Sequence, residues 1–136
     1  MMTTKSFIHK LLYTGAIGLS IFVLLVIVTF SWIGYEVKSQ CQKAQRDYGK
    51  DCVLSLVDLL NDENKEFRSR NSAIWALGQM GDSRALPTLE RYYTGDIPER
   101  EPLNKSISQY ELKKAINLAS GGLNITAFFW RGILTD

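Results

Sequence analysis

The sequence predicts an all-α fold: a single N-terminal transmembrane helix, a short run of paired helices, and a helical C-terminal cap. Three observations predict it. Leu11–Tyr35 contains no charged residue. Beyond it, apolar side chains recur at three- and four-residue spacing between Gly, Asn and Asp breaks. No stretch alternates with the two-residue period of a half-buried strand. The divisions that follow are a short basic tail 1–10, a membrane helix 11–35, a helical repeat region 36–94, a Pro/charged loop 95–106, and a C-terminal helix with an apolar aromatic tail 107–136.

As a helix, Leu11–Tyr35 spans roughly 37 Å at about 1.5 Å per residue, enough to cross a hydrocarbon core of about 30 Å with some tilt. Tyr13 lies near one end, Trp32 and Tyr35 near the other, where amphipathic rings favour the headgroup level. The run is too long for a cleaved signal peptide, and no small-x-small site follows it. Gly15 and Gly18 are a weak hint of helix association, because their spacing is not GxxxG.

Of the chain's 136 residues, 16 are Lys or Arg and 14 are Asp or Glu, a formal net charge of +2. Lys5 and Lys10 alone supply that excess, and from Glu36 onward the charges balance. Such a domain lacks the basic surplus of a nucleic-acid binder. The only cysteines, Cys41 and Cys52, bracket a short segment just past the span. A disulfide there needs an oxidising compartment; two reduced, partly buried thiols are the alternative. The disulfide reading places the C-terminal domain outside the cytoplasm, on the periplasmic side in a bacterium.

The segment Glu36–Asp47 continues the membrane helix or follows it closely, and Tyr48-Gly49-Lys50 breaks it. Val53, Leu56, Val57 and Leu60 then form one helical stripe. Asn61–Asn64 is a turn, because these side chains compete with the helix backbone. Phe67, Ala73, Ile74, Leu77 and Met80 give a second stripe, which Gly81 stops. Asp82 or Ser83 caps a third helix carrying Leu86, Leu89 and Tyr93, with Pro87 tolerated near its first turn.

The string Ala73-Ile74-Trp75-Ala76-Leu77-Gly78-Gln79-Met80-Gly81-Asp82-Ser83-Arg84-Ala85-Leu86-Pro87-Thr88-Leu89 resembles the HEAT-like repeats of the phycobilisome-lyase type. The likeness covers Leu54–Tyr93. It implies a short HEAT-like α-α repeat, a solenoid fragment that binds protein. It also implies that Arg70, eight residues before Gly78, and Asp62 in the upstream turn link neighbouring repeats. The segment between them is about two residues longer than the family pattern. Solenoids need three or more repeats to bury a continuous core, so flanking segments or a partner must complete this one.

In the C-terminal third, Pro98 and Pro102 with Glu99 and Glu101 make a loop with solvated carboxylates. Ser106 or Ser108 caps a helix over Ile107–Ser120, ended by Gly121-Gly122. Leu123–Leu134 is apolar and aromatic. Three readings stay open: a cap over the last helix, a partner surface, or contact with the membrane interface beside Arg131.

His9, the only histidine, precedes the span, so no Ser–His or Cys–His pair can assemble in the domain. No cysteine or histidine cluster has metal-ligand spacing. The expectation is therefore a non-enzyme without metal or cofactor: a membrane-anchored interaction or scaffold module whose partner is another, membrane-associated protein. Candidate partner-binding residues are Glu66, Arg68, Arg70, Asn71 and Trp75, with Phe128, Phe129 and Trp130 in the tail. An accessory subunit of a membrane complex, a homo-oligomer, or a lyase-like chromophore-handling factor are the alternatives.

Overall fold

The computed structural model describes residues 4–134, and among these it contains helices and turns but no strand. The expectations on 1–3 and 135–136, and on the side chains of Ile133 and Leu134, lie outside the described residues. The long helix α1 runs unbroken over Thr4–Tyr48. Its apolar stretch is long enough to cross a membrane, and no side chain along that stretch is buried in the protein. Such a helix is compatible with a membrane span or a signal sequence.

Four short helices form the body: α2 (Cys52–Asn61), α3 (Phe67–Met80), α4 (Leu86–Tyr92) and α5 (Gln109–Ala119). Each boundary has a local cause. The Asp51 side chain accepts from Leu54 N–H at 2.9 Å and so starts α2. Gly81 ends α3 in the left-handed region at φ 64°, where its N–H reaches the Leu77 carbonyl. Asp82 caps a 3-10 turn over Ser83–Ala85, and α4 begins only at Leu86, with Pro87 in its first turn. Ser108 caps α5 by accepting from Glu111 N–H at 3.0 Å. That helix starts two residues later than Ile107, because Ser108 is extended at φ −71°, ψ 115° and serves as the N-cap itself.

Helix α3 is central. It packs on α2 and α5, and the second half of α1 lies against both α2 and α3. Leu56, Leu60, Ile74, Leu77, Leu89 and Leu112 are fully buried between these helices. Gly78 lets α3 and α5 approach closely: a Cβ there would sit 2.8 Å from the Ala115 Cα.

The tail forms α6 (Ile125–Leu134). It does not fold back over the last helix, as one reading of the sequence expected, but packs on α1 and the end of α3. Trp130 is the reason. It sits on Gly34, whose missing side chain opens the seat, and a Cβ at Gly34 would lie 2.7 Å from the Trp130 Cβ. Val37 and Ala127 close this small second core, which Trp75 and Met80 join to the main one.

Candidate functional site

The turn between α2 and α3 builds an open polar concavity. Asp62 organises it: its carboxylate accepts from the Tyr48 hydroxyl at 2.7 Å and from Asn64 N–H at 3.0 Å. The Tyr48 hydroxyl, then the Asn64 N–H, hold the Asp62 carboxyl below the usual aspartate range. Lys65 is anchored to Asp47 at 2.8 Å. With Asn104 of the Pro loop, residues Glu63–Arg68 line a groove of about 520 Å³. Glu66 and Arg68 are exposed on it, and Glu66 occupies the N-cap position of α3 without using its side chain there.

Arg70 and Asn71 are not on that surface. They were expected among the exposed contact positions, but only 6% and 8% of their areas remain accessible. Arg70 donates from Nε to the Leu60 carbonyl at 2.8 Å, satisfying the end of α2. Its guanidinium lies 5.5 Å from the Phe67 ring and 5.7 Å from the Tyr92 ring. Arg70 therefore joins α2, α3 and α4 by itself, without Asp62.

Asn71 pins the Pro loop. Its Nδ2 donates to the Leu103 and Ser106 carbonyls at 3.0 and 2.9 Å, and its Oδ1 accepts from Ser108 N–H at 2.8 Å. Glu101 completes the clamp. Instead of being solvated, it accepts from the Ser108 hydroxyl, from Gln109 N–H at 2.6 Å and from Tyr110 N–H at 3.1 Å. A carboxylate at these orphan donors suits the positive end of α5.

The acid–arginine tie along the stack uses Arg84. It bridges Asp82 in its own turn and Asp51 at the start of α2, both at 2.8 Å. The Asp82 carboxyl is lowered below its usual 3.8, chiefly by Arg84. Asp51 is lowered too, first by Leu54 N–H and then by Arg84. Depressed carboxylates contribute stability above pH 3.8 that is lost as pH falls through their folded-state values. Arg84→Gln is therefore expected to melt lower than wild type by a constant gap from pH 7 down to about 4, and the gap should close in more acid solution. Melting curves across that range check it; a gap that widens in acid contradicts the pairing.

Trp75 is half-buried between the two cores. Phe128 and Phe129 are exposed, whereas Trp130 is 5% exposed and packs inward, so it is no partner contact. Among the described residues its indole N–H finds no acceptor. Arg131 donates from Nη2 to the Gln79 carbonyl at 2.6 Å, and burial lowers its pKa. The Cys41 and Cys52 Cα atoms are 5.1 Å apart, inside the range a disulfide spans. Met80 sulfur lies 3.4 Å from Cys52 sulfur.

Residues 69–94 match the PBS lyase HEAT-like repeat family, a segment that covers most of α3, the 3-10 turn and α4. The chain is also 33% identical over 67 residues to the deoxyhypusine hydroxylase of the fission yeast Schizosaccharomyces pombe. That match takes in 48% of this chain and 21% of the relative, so the chain spans about a fifth of its length. No solved structure matches. The relative corrects the expectation of a non-enzyme: a repeat of this type occurs in a protein named for its hydroxylase activity. A search for nucleophile–base pairs and metal spacing within one short chain could not reveal that kinship. An all-helical fold with a HEAT-like repeat behind a long apolar N-terminal helix is what the sequence, the structure and the comparisons agree on.

Proposed function

We propose that this chain is a single-pass membrane protein that presents a HEAT-like repeat as a docking or scaffold surface for another protein. The observation that carries the reading is continuity. One unbroken helix joins the charge-free run to the repeat, so the anchor fixes the orientation of the docking face as well as its location. In this reading 11–35 is the span, 36–94 the repeat region, 95–106 the clamped loop and 107–136 the closing segment. The docking surface is the groove with Glu66 and Arg68 on its rim, where one charge of each sign offers selectivity for a partner with the opposite arrangement. The domain lies outside the cytoplasm and Cys41–Cys52 is oxidised, stapling the second half of α1 to α2; the Cα separation supports this. A thiol count on the native membrane fraction tests the staple, and two free thiols would sink it.

Photocrosslinking from position 63, which lines the same groove, in native membranes tests the docking surface. The expected result is one reproducible protein adduct, lost in the double reversal Glu66→Arg/Arg68→Glu while helicity and melting stay unchanged. An adduct that survives reversal excludes the groove. Stable co-migration on a native gel would make the chain an accessory subunit of a complex instead of a transient dock.

The hydroxylase relative favours a second reading, in which the repeat serves a hydroxylation of deoxyhypusine. Identifying the captured partner separates the two: the second reading requires that partner to contain deoxyhypusine.

A further inference from the structure

We propose that α6 is an interfacial membrane helix whose outward stripe sits in the acyl–headgroup boundary beside α1. This rests on the reading of α1 as a span. The stripe consists of Ile125, Phe128 and Phe129, which are 63%, 85% and 54% exposed. Leu123, just before the helix, extends it at 86%. These positions follow i, i+3, i+4 spacing, the mark of one continuous helix face.

Position along α1 decides what that face meets. The Phe129 ring lies 5.1 Å from the Phe30 ring, centroid to centroid. Phe30 stands within the charge-free run, six residues before Glu36, its first charge. At about 1.5 Å per residue that is about 9 Å inside the charged boundary, and interfacial helices bury their apolar faces about 5–10 Å deep. Trp32 and Tyr35 are 69% and 70% exposed at the same level of α1, as in an aromatic belt. Phe129, beside Phe30, continues this belt.

The polar groups of α6 support the same placement, because they all turn toward protein. Asn124 Nδ2 donates to Gln79 Oε1 at 3.0 Å, and its Oδ1 accepts from Thr126 and from Ala127 N–H. Arg131 is tied to the Gln79 carbonyl. A helix facing water would carry polar side chains outward; here the outward face is apolar, and Asn124, Thr126 and Arg131 are hydrogen-bonded on the inner side. Exposed aromatic surface of this kind needs a non-aqueous neighbour, and at this depth that neighbour is lipid.

The test places the photoreactive amino acid benzoylphenylalanine at Phe128 in the full chain, reconstituted in phosphatidylcholine vesicles with labelled acyl chains. Leu24, exposed in the middle of the apolar run, serves as the span control, and Lys113, exposed on α5, as the water control. Phe128 is so exposed that the replacement should leave helicity unchanged. Expected lipid labelling at position 128 is within about threefold of position 24 and about tenfold above position 113. Labelling at 24 but not at 128 overturns the placement of α6 and leaves the span intact. Adducts from 128 to a second copy, or to another protein in native membranes, overturn it in favour of a protein interface. Absence of labelling at 24 removes the span itself, and this inference with it.

Discussion

Gly78→Leu is expected to destabilise the helical body by about 3 kcal/mol, among the largest effects of any single substitution in this chain. An added Cβ at this position meets the Ala115 Cα at 2.8 Å and the Ala115 Cβ at 3.0 Å. The first of these is backbone, so no side-chain rotation relieves it, and α3 and α5 must separate along their whole contact. Gly78→Ala isolates the first carbon. Alanine favours the helix over glycine by about 1 kcal/mol, and the clash opposes that gain, so a smaller net loss of about 1 kcal/mol is expected. Ala115→Gly should rescue either variant only in part, since it removes the Cβ at 3.0 Å and leaves the Cα at 2.8 Å. Gly15→Leu is the control, because nothing lies within 4 Å of a Cβ there. Thermal melting in detergent by circular dichroism reads all four; a loss of 3 kcal/mol corresponds to roughly 12–24 °C for a body of this size. A Gly78→Leu protein that melts with wild type would show that α3 and α5 are not packed through this glycine.

What was legible in the sequence was legible because its cause is local. The charge-free run defines the apolar part of α1, Gly81 can end α3 by its own backbone freedom, and Ser108 caps the residue three positions later. The ALG string similarly carries its own explanation, small residues where helices approach and leucines between them. Arg70 and Asn71 were misread because their partners are distant in sequence. A helical wheel sets the two about 100° apart on α3. It cannot show that Leu60 and Tyr92 close over one, or that the loop at 103–108 folds onto the other. Glu101 was misread for the same reason: its seven-residue distance from Ser108 is no capping pattern, and only the folded loop brings it to the α5 N-terminus. The seat of Trp130 on Gly34 joins opposite ends of the chain, and composition alone favoured a cap over the last helix, with a partner surface and the membrane interface as alternatives. The likeness to a hydroxylase extends over 67 residues, and nucleophile–base pairs and metal-ligand spacing do not register such a likeness.

Asn71→Asp separates the donors of this side chain from its shape. The substitution keeps the size and the acceptor toward Ser108 N–H, but removes both donations, to Leu103 and Ser106. It also sets a carboxylate against those two carbonyl oxygens at a site that is 8% exposed. Two carbonyls left without partners and a buried charge held only by Ser108 N–H add up to a loss of about 5 kcal/mol or more. The loss should appear first in the loop, because α2, α3 and α5 retain their apolar contacts and only the segment from Asp96 to Ile107 is held by these bonds. Limited trypsin digestion reads this directly, through Arg100 and Lys105, which are exposed: cleavage there should speed up well before global melting. Asn104 belongs to the same loop and lines the groove with Glu66 and Arg68. If that groove docks a partner, freeing the loop must weaken crosslinks from position 63 although Glu66 and Arg68 are unaltered. Faster cleavage together with unchanged crosslinks would separate the clamp from docking, and would assign Asn71 to the fold alone.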